Sequence, residues 1–293
     1  DMLGVEHAHE KLSSEEYHIR FYCVGYTVIK YYLNDYDMNF LDGHKARKIA
    51  ADVLATYLPE EVVDSLYAAV EEAELQVASL TLEPIAAIQL AIPEQFRLLN
   101  IALVDVGAGT SDICITKDGS ISACGMIPFV GDESTEVLVK EYLVEFATAE
   151  KIKVATDKKK GIMYKDIMGL YHKIEPPEVL KVLEPSLSRM ASSISDKIKE
   201  LNGGKSVSAV FVVGGGGKLP GFTQMLAKEL DISAERVALR GAEVMGNIEF
   251  LNQDIKKDSL LVTPIGICLN FYNQKNSFIF VNFNGERIKL YDN

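Results

Sequence analysis

The sequence predicts an α/β fold on three observations. Strand-like runs alternate with helical ones along the 293 residues. Apolar residues make up 48% of the chain and charged residues 25%, enough for a core and typical of a globular protein. Two apolar runs end in glycine-rich turns, "DVGAGTSD" at 105–112 and "VVGGGGKLPGF" at 212–222.

In chain order, residues 17–33 are aromatic and β-branched and read as strand, with a hairpin turn expected near Gly25. Residues 46–59 lean to strand. Residues 59–74 read as helix, from Pro59 and the early glutamates, with Val62, Leu66, Ala69, Val70 and Ala73 inward. "QVASLTL" (76–82) is expected as a short strand before the helix "EPIAAIQLAI". Three strands fill 100–129, separated by Gly107–Gly109 and by Asp118-Gly119. A helix is expected over 132–147 with Val137, Tyr142, Leu143 and Phe146 inward, then a lysine-rich segment with two short strands. The longest helix spans about 178–201, with a kink or restart at Pro185. "VSAVFVV" is a buried strand, 222–230 belongs to a helix, and another helix follows Thr263-Pro264. A hairpin around Asn284-Gly285 ends the chain.

Composition excludes several classes of function. Lys and Arg number 30 against 42 Asp and Glu, a net charge of −12 that repels nucleic-acid backbones. The basic run Lys151, Lys153, Lys158, Lys159 and Lys160 reads as a solvated loop. Cys23, Cys114, Cys124 and Cys268 are scattered, which argues against a zinc site or a disulfide framework and fits a reducing cytosol. No apolar stretch approaches the roughly 18 residues of a spanning helix.

Four motifs carry chemistry. In "DVGAGTSD" the turn can aim backbone N–H groups at an anion. Asp105 could hold Mg²⁺ through water, and Thr110 and Ser111 could donate to phosphate. The same residues would equally make a tight hairpin capped by Asp105 and Asp112. Gly214, Gly215, Gly216 and Lys218 let the chain approach a flat ligand, although the spacing fits neither a Walker loop nor a dinucleotide fingerprint. Glu150 and Lys153 share a helical face, as a ribose-binding pair or a surface ion pair. Glu83 opens a helix, as a cap or as an orienting group for water or hydrated Mg²⁺.

Taken in order, Glu-Pro-x-Ala-Ala, Asp-x-Gly-x-Gly-Thr-x-Asp, Ala-Glu-x-x-Lys and Gly-Gly-Gly-x-Lys-Leu-Pro resemble the actin-like ATPase superfamily over about residues 77–272. The lean is towards proteins of the FtsA kind, on "AEKIK" and the small insertion between Lys153 and Glu178. The resemblance implies a ribonuclease H-like fold with a complete second lobe (100–254, insertion 156–178) and a partial first lobe (1–99, with an extra subdomain at 17–58). The first connecting helix would be 83–92, and residues 255–293 would return to the first lobe. It also implies that Asp105, Gly107, Gly109, Thr110 and Ser111 form a phosphate loop, with Asp105 serving Mg²⁺ and Glu83 near the attacking water. Asp112 would support the loop. Glu150 and Lys153 would hold adenosine from one side, and Gly214, Gly215, Gly216 and Lys218 from the other.

The function so implied is a nucleotide-switched scaffold or polymer in bacterial cell division or envelope assembly, with ATP or ADP and Mg²⁺ as ligands and protein partners or self-assembly. A reactivating or assembly ATPase of the ethanolamine-utilisation or pilus type is the alternative, and a sugar-type kinase a third. The expected location is cytoplasmic, peripheral to membrane only through regions outside this chain. One departure stands out: no Asp-x-Gly-[Thr/Ser] loop lies between Asp1 and Asn100. The chain is therefore expected to be a fragment that binds ATP weakly or not at all and has negligible ATPase activity, the intact parent being at most a slow Mg²⁺-dependent ATPase.

Overall fold

The computed structural model describes residues 5–6, 8–9, 20–38, 41, 43–128, 131–158, 160–252, 254–275, 280–281 and 287–288. Strands β1 (Phe21–Leu33), β2 (Tyr36–Met38) and β3 (Ile49–Pro59) form an antiparallel sheet in the order β2-β1-β3. The expected turn at Gly25 does not occur. β1 passes through Gly25, where the register against β3 slips by one residue. The chain reverses instead at Asn34 and Asp35, with φ of 51° and 70°. Asn and Asp tolerate that left-handed backbone, whereas Gly25 serves a bulge.

Helix α1 (Glu60–Glu72) buries Val63. Val62 and Leu66, expected inward, are exposed. Residues 76–82, expected as a strand, form none; they lead as coil into α2 (Glu83–Ala91).

Strands β4 (Ile101–Val106), β5 (Thr110–Lys117) and β6 (Ser120–Pro128) follow as expected. The helix expected over 132–147 is two, α3 (Gly131–Tyr142) and α4 (Phe146–Val154). Leu143 at φ 49° ends the first, so Val144 is buried while Leu143 and Phe146 are exposed. The hairpin β7 (Ile162–Lys165) and β8 (Tyr171–Ile174) precedes α5 (Pro176–Leu201). That helix starts on a Glu175/Glu178 capping box and runs through Pro185 without the expected restart. After β9 (Ala209–Val213) come α6 (Phe222–Leu230), β10 (Val237–Leu239) and α7 (Val262–Lys275). Finally β11 (Phe280–Val281) pairs antiparallel with β12 (Arg287–Ile288); the Asn284-Gly285 turn lies outside the described residues.

The main sheet has the order β10-β9-β4-β5-β6, with β10, β9 and β4 parallel and β5 and β6 antiparallel. Strand alternation divides its side chains between two cores. Ala102, Val104 and Val106 pack with residues of α3, α4, α5 and α6, including Leu138, Ile152, Leu183 and Phe222. Ile101 and Leu103 pack on the opposite face with Ala87, Ile88 and Ala91 of α2 and Val262 of α7. Those two helices meet almost backbone to backbone. A Cβ on Gly266 would lie 2.1 Å from the Ala86 carbonyl oxygen, so only glycine fits.

Cys114 and Cys124 are joined as a disulfide, against the expectation of unpaired cysteines. The tight turn at Asp118-Gly119 alone would pair Cys114 with Ala123. A bulge between Ile115 and Thr116 moves the register by one and sets Cys124 opposite Cys114. Among the described residues Cys23 and Cys268 are free and exposed.

Candidate functional site

The 105–112 hairpin projects from the β4 end beside β9, and its register follows from its length. Asp105 pairs across the ladder with Asp112 on one side and with Val213 on the other. Like charges placed directly opposite are unfavourable unless something separates or neutralises them. Burial raises the carboxyl pKa of Asp105, while a 2.5 Å hydrogen bond from Thr263 Oγ1 to its Oδ2 opposes that shift. For Asp112 burial comes first, then the charges of Glu83 and Asp105, and its pKa is pushed up to about 6. Glu83, exposed at the start of α2, therefore faces the same acidic cluster.

Next to Asp105 the chain leaves β9 through Gly214 at φ 82°. A Cβ there would come within 2.4 Å of Asp105 Oδ1, so glycine is required by backbone and by space. The loop then closes a 3₁₀ turn at Gly216–Lys218. Lys218 Nζ lies 2.7 Å from Asp258 Oδ2. Burial alone would raise the Asp258 pKa, but hydrogen bonds from Lys218, Leu260 and Ser259 hold it below the usual carboxylate value.

Helix α3 begins against the hairpin: Gly131 N and Asp132 N both donate to the Ala108 carbonyl, each at 2.7 Å. Lys153, buried on α4, reaches back to the same point. Its Nζ donates to Gly131 O at 3.1 Å and to Thr135 Oγ1 at 2.6 Å, and pairs with Glu150 Oε2 at 2.6 Å. Thr135 Oγ1 donates to Glu150 Oε2 at 2.6 Å, which completes the network.

These segments enclose a cavity of about 340 Å³. Of the residues expected to bind a ligand, Gly107, Glu150, Lys153, Gly215, Gly216 and Lys218 line it. Ala108, Gly131, Asp132, Thr156 and Leu260 are among the other wall residues and were not foreseen. Gly109 lines a neighbouring, more acidic depression with Asp132, Glu133, Glu136 and Arg189. Asp105, Glu83, Thr110 and Gly214 do not line the first cavity. Thr110 is exposed. Ser111, expected to donate to phosphate, is fully buried and its Oγ has no hydrogen-bond partner among the described residues.

The volume falls within the range of small-molecule pockets, and the lack of side chains at Gly214 and Gly216 lets this loop pack directly on Asp105 and Val106 at the end of β4. Among the described residues, no group of three His, Cys, Asp or Glu could ligate a metal directly. A hydrated Mg²⁺ needs only one or two carboxylates, and Asp105 with Asp112 meets that need. Thr135, Asp258 and Thr263 are the polar partners missed in the sequence. Asp258 carried a signal, as an acid just ahead of a helix, where its side chain accepts Leu260 N at 3.3 Å.

Comparison with known proteins fits this architecture. The chain matches the family model described as type IV pilus assembly protein PilM over residues 7–269. The cell division protein FtsA of Neisseria meningitidis serogroup B is 29% identical over 143 residues, 48% of this chain and 34% of that protein. FtsA of Bacillus subtilis is 22% identical over 190 residues, 60% of this chain and 42% of that protein. The chain thus spans less than half the length of these curated relatives.

Among solved structures, a PilM–PilN type IV pilus biogenesis complex superposes with a TM-score of 0.64 at 14% identity, covering 92% of this chain and 71% of that one. MreB5 of Spiroplasma citri bound to ADP superposes with a TM-score of 0.55 at 18% identity, covering 72% and 65%. The fold is that of the actin-like ATPases, and the chain is similar to FtsA in sequence. With the family model covering most of its length, the chain belongs to the type IV pilus assembly protein PilM family within the actin-like ATPase superfamily.

Proposed function

We propose that the cavity is the second-lobe half of an ATP/ADP site and that the protein is a nucleotide-switched scaffold of the FtsA kind, working with protein partners. One observation carries this reading. Four segments far apart in sequence, Gly107–Ala108, Gly131–Asp132, Glu150–Lys153 and Gly215–Lys218, converge on one cavity. The likeness to MreB5 of Spiroplasma citri, a structure with ADP bound, supports a nucleotide as ligand. In this reading Gly107 and Gly109 approach phosphate, Glu150 and Lys218 flank the nucleoside, and Asp105 holds hydrated Mg²⁺ with Asp112. Residues 100–254 act as the second lobe, and α2 and α7 connect it to the first. The protein works in the cytoplasm at the membrane periphery.

The family match favours pilus assembly as the process; the FtsA relatives favour cell division. Envelope assembly covers both.

Titration of the chain with Mg²⁺-ADP, followed by thermal shift and calorimetry, tests the site. Weak saturable binding is expected, abolished in Gly215→Val, whose side chain would enter the cavity beside Leu260. Equal binding by that variant would remove the cavity from consideration. ATP hydrolysis by the chain is expected to be negligible.

A further inference from the structure

The β7–β8 hairpin carries a surface that the nucleotide reading does not use. Its register is Ile162↔Ile174, Met163↔Lys173, Tyr164↔His172 and Lys165↔Tyr171. Alternation turns Ile162, Tyr164, His172 and Ile174 inward, where Tyr164 packs on Tyr142 and stacks on His172 at 5.1 Å. The outward face is then Met163, Lys165, Tyr171 and Lys173, two apolar and two cationic side chains set diagonally. The tip continues the apolar character: Ile167, Met168, Leu170 and Tyr171 are 65%, 75%, 61% and 77% exposed. Leu143, also exposed, adjoins them, since Ile167 N donates to its carbonyl at 2.9 Å. That bond also braces the tip against the end of α3.

Charge is sorted around this apolar tip. Lys158, Lys160, Lys165 and Lys173 are exposed on the hairpin and its approach, in a chain of net charge −12. Glu175, just past the hairpin, pairs with Lys173 Nζ at 3.1 Å, and the single acid between Lys158 and Ile174 is Asp166. Its side chain is only 10% exposed and is consumed internally. It accepts Met168 N and Leu170 N, each at 2.9 Å, and holds His172 Nε2 at 2.7 Å. The turn is thus stiffened by the carboxylate that would otherwise repel an anionic surface.

We propose that this hairpin is a membrane-docking wedge: Ile167, Met168, Leu170 and Tyr171 enter the headgroup–acyl boundary of an anionic bilayer while the lysines contact lipid phosphates. The shape and charge together favour a bilayer over a protein partner. Consecutive apolar residues occupy a turn rather than a groove, and a tyrosine with flanking lysines is suited to the interface, where long stems bury and charged heads stay wet. Anionic headgroups attract each nearby lysine, and the acidic bulk of the protein, repelled by the same surface, favours docking through this face. The proposal is independent of the nucleotide site.

Vesicle co-sedimentation with the whole chain tests it, using phosphatidylcholine alone and phosphatidylcholine with roughly a third phosphatidylglycerol. Binding only to the anionic vesicles is expected, weakened by high salt. Lys165→Glu with Lys173→Glu should lower the partition by roughly tenfold or more, and Met168→Asp with Leu170→Asp should abolish it. All four positions are exposed, and unchanged melting curves would show that the variants fold. Absence of vesicle binding, equal binding to neutral vesicles, or binding unaffected by the variants overturns the proposal. Concentration-dependent dimers in sedimentation velocity, lost in Met168→Asp with vesicles still ignored, would overturn it in favour of a second copy of the chain.

Discussion

The Glu150–Thr135–Lys153 network and the Glu83–Asp105–Asp112 cluster both border the 105–112 hairpin, and they are built on opposite plans. In the first, a buried ammonium has three oxygen partners within 3.1 Å, two of them on α3 and the third, Glu150, on its own helix. In the second, carboxylates oppose one another across a ladder, with Thr263 as the donor bonded to Asp105. The ammonium of the first network is satisfied within the protein, with Glu150 left partly open to the cavity. The acidic cluster stores repulsion that a cation or a proton would release, so the one anchors the hairpin and the other makes it responsive.

The difference can be broken from the anchored side first. Lys153→Met should cost about 2–3 kcal/mol in urea unfolding, because it removes the buried donor shared by the Gly131 carbonyl, Thr135 and Glu150, while the Thr135–Glu150 bond remains. A loss under 1 kcal/mol would reduce the network to a surface ion pair. Gly214→Ala should cost about 2 kcal/mol from its left-handed backbone and its clash with Asp105. The same variant should disturb Asp105, which a chemical-shift titration of its carboxyl would register.

Asp112 sharpens the other side. Its folded pKa, about 6, lies above the ordinary 3.8, so the folded state binds the proton more tightly than the unfolded chain. Its contribution is complete below the unfolded pKa and is lost as pH rises through about 6. Between pH 4.5 and 7.5 the wild type should lose about 1 kcal/mol, after allowance for solvent screening, that Asp112→Asn does not lose. Parallel stability profiles for the two proteins would end the idea of a strained cluster. The smallest effect is Mg²⁺ itself: at millimolar concentration it should raise Tm by a degree or two at pH 7.5 and not at pH 5, roughly the effect of a weakly held ion. An equal shift at both pH values would mean that the ion acts elsewhere.

Much of this was legible in the sequence where local pattern and tertiary packing agree. The β4–β6 meander could be read from the apolar runs on either side of the 105–112 turn and from turns rich in glycine. The cavity walls could be read from Gly107, Glu150, Lys153 and the Gly214–Lys218 loop. Elsewhere two local solutions were equally good and packing chose between them. On α1 Val62 and Leu66 keep the helical spacing expected of an inward face, yet Val63 is the residue buried where this helix meets the first sheet. Gly25 reads as a turn, yet the ladder uses it as a bulge and turns at Asn34-Asp35. The Cys114–Cys124 pairing depends on a one-residue register slip that no spacing rule announces. Ser111 matches a phosphate-loop pattern, but strand alternation sends its hydroxyl into the core.

The crossing of α2 and α7 has a mechanical consequence. Helices normally lock by setting ridges of side chains into grooves, and any rotation must lift one ridge over another. Where Gly266 meets Ala86 the ridge is missing, so the two backbones touch and any side chain at 266 would force the helices apart. Thr263 of α7 is bonded to Asp105 at one end and Asn270 to Thr81 at the other, so the same helix ties the acidic cluster to the segment that leads into α2.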